Sequence, residues 1–198
     1  MTQININHGT GRTGDEYSMN ITVYLGANQG NYDKFKYAVK ELGSFIGTRG
    51  DTLVYGGSKS GLMGVIADSV LASNGKVIGV EPQMFIDQQV QHDSITELII
   101  TKDMSERKAK MIELGDAFIA FPGGTGTLEE ISEIMSLVSL DQIESPCIIY
   151  NLDGYYDALK ELLNTMIRYG LSSEKRQKGI YFASNISDIE KILKAEYI

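Results

Sequence analysis

The chain has 198 residues, 42% of them apolar, enough for one folded domain with a sizeable core rather than a disordered segment. Its formal net charge of −8 repels a nucleic-acid backbone, so DNA or RNA binding is a poor fit, while a small anion needs only local positive charge. No apolar run approaches the ~18 residues of a membrane span, and a single cysteine, Cys147, excludes an intrachain disulfide and fits the reducing cytoplasm.

The first 18 residues are polar, lack the apolar segment of a signal peptide, and read as a flexible tail; residues 19–198 read as a single domain. The domain opens with a short β-rich strand, Ile21 to Leu25. Tyr32 to Arg49 carries Phe35, Ala38, Val39, Leu42, Phe45 and Ile46 at helical spacing. Thr52 to Tyr55 is a second strand and Gly61 to Ser73 a second helix, with Gly75 as its stop. Lys76 to Val80 and Ile95 to Ile100 are strands, Ser105 to Leu114 a helix, and Asp116 to Phe121 a strand. Thr127 to Leu140 is a long helix. Cys147 to Tyr150, a strand, buries the lone thiol. Tyr155 to Arg168 (helix), Ile180 to Phe182 (strand) and Ile186 to Leu193 (helix) complete the chain.

Such alternation predicts an α/β fold, a Rossmann-like, doubly wound parallel sheet with helices on both faces. Right-handed crossovers bring every strand-to-helix turn to one sheet edge, where ligands of open α/β sheets bind. Three glycine-rich turns fall there: Gly26 to Gly30, Gly56 to Gly61 (with Gly57 and Ser58), and Pro122 to Thr127. In the third, Gly123, Gly124 and Gly126 lie between an apolar strand and a helix. Glycines there admit an anion close to the backbone, and the helix offers free N–H groups and a positive dipole end: a phosphate seat. Neither a dinucleotide fingerprint nor a P-loop is present.

Glu129 and Glu130 follow. Glu130 is spaced from Thr127 for a capping box, a helix-chemistry role, whereas Glu129 is not, and an acid beside a phosphate seat needs another task. Lys102, Arg107 and Lys108 form a basic cluster near a helix N-terminus, where cations are unfavourable unless they face an anion. A solvated helix face is the alternative for that cluster.

Pro122-Gly123-Gly124-Thr125-Gly126-Thr127-Leu128-Glu129 is similar to the PGGxGTxxE motif of the LOG (Lonely Guy) family, cytokinin riboside 5′-monophosphate phosphoribohydrolases often misannotated as lysine decarboxylases. Met104 to Lys108 resembles that family's M-x-x-R-K element, Tyr55 to Gly64 its YGG-GLMG turn, and Asn151 to Asp157 its NxxGYYD stretch. The resemblance spans about Ile21 to Gly170 with the elements in family order. It implies hydrolysis of the N-glycosidic bond of a nucleoside 5′-monophosphate, AMP or an N6-substituted AMP, to free base and ribose 5-phosphate. It maps the catalytic arginine and glutamate onto Arg107 and Glu129, phosphate contacts onto Gly124, Thr125, Gly126 and Thr127, and a homodimer with the site near the interface. Gly123, Lys108, Glu130, Gln89, Ser136, Gly57 and Ser58 complete the expected substrate contacts.

The chain departs from the family at four places. Gln89 aligns with a usual glutamate, Leu137 with a tryptophan, Ser136 with a threonine, and Glu81 with a more apolar residue. The phosphate and catalytic motifs are intact while the base pocket is altered, so a plant-hormone substrate is not implied. The expected reaction needs no cofactor and no metal; His8 falls in the tail, and His92 suits a structural or substrate-lining role. The competing expectation is a non-catalytic nucleotide-binding protein on the same scaffold. A pyridoxal-phosphate decarboxylase fits poorly, for want of a convincing Schiff-base lysine context.

Overall fold

The computed structural model describes residues 18–196; the tail reading for residues 1–17, and His8, lie outside the described residues. Seven strands form one parallel sheet: β1 (Asn20–Tyr24), β2 (Thr52–Tyr55), β3 (Lys76–Pro82), β4 (Glu97–Thr101), β5 (Ala117–Ala120), β6 (Cys147–Tyr150) and β7 (Ile180–Ala183), in the order β4-β3-β2-β1-β5-β6-β7. Between them lie helices α1 (Asp33–Thr48), α2 (Gly61–Ala72), α3 (Gln83–Ile86), α4 (Met104–Leu114), α5 (Thr125–Ser139), α6 (Asp157–Arg168) and α7 (Ile186–Glu196). The winding direction reverses between β1 and β5, which pair from Ile21↔Ala117 to Tyr24↔Ala120. That switch point opens a crevice at the carboxyl ends of the two strands.

The sheet is apolar on both faces because helices cover both. Ile21, Val23, Leu53 and Tyr55 pack with Leu42 and Ile46 of α1, Ile66 and Val70 of α2, and Ile189 of α7. Tyr24, Val54, Val80 and Phe118 pack on the opposite side with Met111 of α4, Ile131 and Ile134 of α5, and Leu163 of α6. Cys147 is buried in that second layer, and burial pushes its thiol pKa far up, so it stays a neutral packing residue.

Three local expectations are corrected. Helix α2 is ended by Asn74, whose φ is +60°, not by Gly75; a Cβ at Gly75 would instead meet Gly47 Cα at 2.6 Å. Strand β3 runs on to Pro82, and the single turn α3 follows it, too short to leave a periodic signal. Helix α5 starts at Thr125, with Gly124 as its N-cap, rather than at Thr127.

Candidate active site

The three glycine turns meet as the topology demands. The position a Cβ would take at Gly123 lies 3.1 Å from the Gly26 nitrogen, and that at Gly61 overlaps the Ala27 carbonyl. First and third turns enclose a cleft of roughly 170 Å³ at the switch point, bordered by Gly26, Asn28, Phe35, Pro122, Gly124 and Tyr155.

Gly123 is needed for packing: a Cβ there would collide with Thr127 Oγ1, and Thr127 is itself buried. Gly124 and Gly126 differ. Among the described residues nothing lies within 4 Å of a Cβ at either, and they are exposed with Thr125 at the start of α5. Among the described residues no side chain caps this end of the 15-residue helix. Its N–H groups and dipole therefore point into open space at the ligand edge, as an anion requires. The carbonyls behind the turn are held from the other side: Tyr155 Oη donates to the Gly123 carbonyl at 2.6 Å and Tyr156 Oη to that of Phe121 at 2.9 Å. Asn151 fixes that pair of tyrosines, accepting from the Tyr156 N–H at 2.6 Å and donating to Asp157 at 2.7 Å. Sequence reasoning matched this stretch to a motif without finding the tyrosines' task.

The basic and acidic residues sort in an order the sequence did not predict. Helix α4 is capped by Asp103, which accepts from the Glu106 N–H at 3.0 Å, while Glu106 accepts from the Lys102 N–H at 2.7 Å. Arg107 then turns inward, 6% exposed. Its Nε donates to the Val80 carbonyl at 3.1 Å and its Nη1 to Glu130 Oε1 at 2.7 Å. Glu130 is 8% exposed. Burial raises its pKa, and the charge and hydrogen bond of Arg107 oppose that rise.

One reading is thereby corrected. Thr127 and Glu130 form no capping box, because Thr127 already lies inside the helix and Glu130 faces Arg107. Arg107 is bonded to Glu130, not to Glu129. Counted letter by letter from Pro122, the ninth position of PGGxGTxxE is also Glu130, so motif and geometry agree.

Glu129 is exposed and pairs with Lys108 at 2.7 Å, and Lys108 also reaches Glu133 at 3.2 Å. The Lys108 hydrogen bond lowers the Glu129 pKa, and Glu129 and Glu133 raise that of Lys108. This trio forms the outer rim of the Arg107–Glu130 pair.

Of the remaining expected contacts, Ser58 is buried and donates to the Val90 carbonyl at 3.3 Å, while its oxygen accepts from the Ser60 N–H at 3.1 Å. Ser136 bonds the Ser132 carbonyl of its own helix at 2.9 Å. Gln89 is exposed in a turn with φ +57°. His92 meets Asp68 at 3.0 Å. Gly57, with φ +86°, lies against Glu81, a buried carboxyl that the sequence marked only as a departure. Among the described residues no cluster of His, Cys, Asp and Glu is arranged to hold a metal ion, and no helix is long and apolar enough to cross a membrane.

Comparison with known proteins found relatives by sequence and by fold. The family profile described as "Possible lysine decarboxylase" matches residues 63–193. The chain is 43% identical over 144 residues to the probable cytokinin riboside 5′-monophosphate phosphoribohydrolase LOGL1 of Oryza sativa subsp. japonica; the match covers 73% of this chain and 65% of that relative. It is 35% identical over 174 residues to LOG1 of Arabidopsis thaliana, a cytokinin riboside 5′-monophosphate phosphoribohydrolase, covering 88% and 82% of the two chains. In fold it resembles the molybdenum cofactor binding protein from Rippkaea orientalis, with a TM-score of 0.67 at 22% identity over 91% of this chain and 98% of that one.

Proposed function

From the premise that the chain belongs to the LOG family, we propose that it hydrolyses the N-glycosidic bond of a nucleoside 5′-monophosphate of the AMP or N6-substituted AMP class, releasing free base and ribose 5-phosphate. The observation that carries this reading is the buried Arg107–Glu130 pair, 2.7 Å apart, beside an uncapped helix N-terminus at the switch point of the sheet. The phosphate sits on the first turn of α5, at Gly124 to Thr127, where backbone N–H groups and the helix dipole favour it.

As the C1′–N bond breaks, its electron pair leaves with the base and positive charge grows on the ribose. A fixed carboxylate stabilises that charge. Glu130 supplies it in this reading, and its upward-shifted pKa suits it to take the proton of the attacking water. Arg107 holds Glu130 in place and presents guanidinium hydrogens to ligand oxygens. The base gains its proton from solvent. Lys108, with Glu129 and Glu133, contributes charge at the rim, and Glu129 is not the central carboxylate.

The protein acts in the cytoplasm as a homodimer in this reading. An open groove of about 530 Å³ beside the α5 N-terminus, bordered by Leu128, Tyr155, Leu159 and Leu162, gives a second copy an apolar seat next to the site. Leu128 is 44% and Leu162 50% exposed, so a second copy seated there would take apolar surface out of water.

Incubation with AMP, adenosine and a panel of other nucleoside monophosphates tests the reading by chromatography of the free bases. Adenine from AMP and almost none from adenosine is expected. Nucleotide binding without release of any base replaces the hydrolase with a carrier.

A further inference from the structure

Glu81 is a buried carboxyl to which the proposed reaction gives no task. It is 1% exposed at the carboxyl end of β3, and its Oε2 is buried with no hydrogen-bond partner among the described residues. Its fit depends on the second glycine turn. A Cβ at Gly57 would stand 3.0 Å from Glu81 Cβ and 3.1 Å from Oε2; a Cβ at the preceding residue, Gly56, would stand 2.5 Å from Arg107 Nη2. One glycine thus makes room for the carboxyl and its neighbour for the guanidinium, and the two groups meet across the Gly56–Gly57 peptide. Arg107 is already bonded to Glu130 through Nη1 and to the Val80 carbonyl, the residue next to Glu81, through Nε. Two buried carboxyl groups therefore share one guanidinium, one by a hydrogen bond and one through space.

We propose that Glu81 is a positioning residue of the nucleotide site that acts through Arg107, so that the anionic ligand binds together with a proton. The proposal rests on the reading that Arg107 serves that ligand. With both carboxyls ionised the trio carries a net negative charge, and an arriving phosphate ester is opposed. With Glu81 neutral the trio is balanced, and the guanidinium is free to face the ligand. Burial pushes the Glu81 pKa up to about 7, against the pull of Arg107, which puts the exchange in the working range. The other groups facing this corner do not replace it. Tyr55 on β2 has its hydroxyl buried without a partner among the described residues and its pKa raised by burial and by Glu81; Asp68 on α2 pairs with His92; Glu130 on α5 is committed to Arg107. By linkage, ligand and proton each strengthen the binding of the other.

Titration calorimetry with ribose 5-phosphate, between pH 6 and 8.5 in buffers of differing ionisation enthalpy, measures the protons taken up on binding. Glu81→Gln and Glu81→Leu serve as two neutral replacements, and both carry the ligand phosphate's own titration as a shared background. The wild type is expected to take up more protons than either variant near pH 7.5. Its affinity should fall roughly tenfold relative to theirs from pH 6.5 to 8.5, which is a coupling of about 1.4 kcal/mol. Equal proton uptake by all three proteins overturns the proposal, even where adenine is released from AMP normally. Absence of adenine release with the proton difference intact overturns the hydrolase reading instead. No binding of ribose 5-phosphate by the wild type overturns both.

Discussion

At the scale of single residues, the proposed chemistry turns on the contrast between Glu129 and Glu130. A buried carboxylate bonded to a guanidinium loses far more on removal of its partner than an exposed one bonded to a lysine. Arg107→Ala should therefore destabilise the fold by about 3–5 kcal/mol in urea denaturation, because Glu130 is left buried without its cation. Glu130→Gln keeps the shape and an acceptor for Arg107 but removes the charge. Turnover of AMP should fall by roughly 10²-fold or more while AMP still binds, whereas Glu129→Gln should stay within a few-fold of the wild type. Steady-state kinetics on both variants, corrected for folded fraction, check the pair; equal losses would move the central role back to the rim. The residues of this site were legible in the sequence, since Arg107 and both glutamates were singled out there. Their partners were not. The Thr127-to-Glu130 spacing satisfies a capping-box pattern by residue type, but that pattern says nothing of whether Thr127 is already helical. Starting α5 at Thr125 turns Glu130 from the helix end towards Arg107.

Elements place these residues, and the support comes from outside the segment that carries them. The turn between β5 and α5 has its carbonyls held by the tyrosines that lead into α6, so the turn's shape depends on the Asn151–Asp157 stretch as much as on its own glycines. Removing one such hydrogen bond costs about 1 kcal/mol, more where the acceptor stays buried. Tyr156→Phe, deep in the core, should lower stability by about 1–2 kcal/mol with little change in KM. Tyr155→Phe, whose hydroxyl reaches the Gly123 carbonyl beside the phosphate seat, should instead raise KM several-fold at a smaller stability cost. Thermal denaturation and initial rates on the two variants separate these outcomes. Strands and long helices could be read from the sequence because both faces of the sheet are covered, which makes β6 a continuous apolar run and β2 one after its opening Thr52. The missed features are those with no periodicity to read: α3 is one turn long, and the α2 stop is an asparagine in a conformation that glycine was expected to take. Tertiary contact across the sheet edge, which gives Gly56 and Gly57 their task, leaves no local mark at all.

On the scale of the whole molecule, assembly and acid–base balance are tied to the same edge of the sheet. If a second copy covers the apolar groove beside Leu128 and Leu162, light scattering at micromolar concentration should give about twice the chain mass, and Leu162→Glu should halve it by placing a charge in that contact. Stability carries a separate signature of the Glu81 corner. A carboxyl whose pKa is raised in the folded state binds its proton more tightly there than in the unfolded chain. Its favourable contribution is complete below the ordinary carboxylate range and is lost as pH rises to about 7. By pH 8 that loss is on the order of 3 kcal/mol, and most of it accrues above pH 5.5. Glu81→Gln cannot ionise and is spared the loss, while every other titrating group is common to both proteins. In urea denaturation, then, the stability of the variant relative to the wild type should rise by about 2 kcal/mol between pH 5.5 and pH 8. A difference that stays constant over that interval means that Glu81 does not titrate there, and the second carboxyl at Arg107 is then charged throughout that interval.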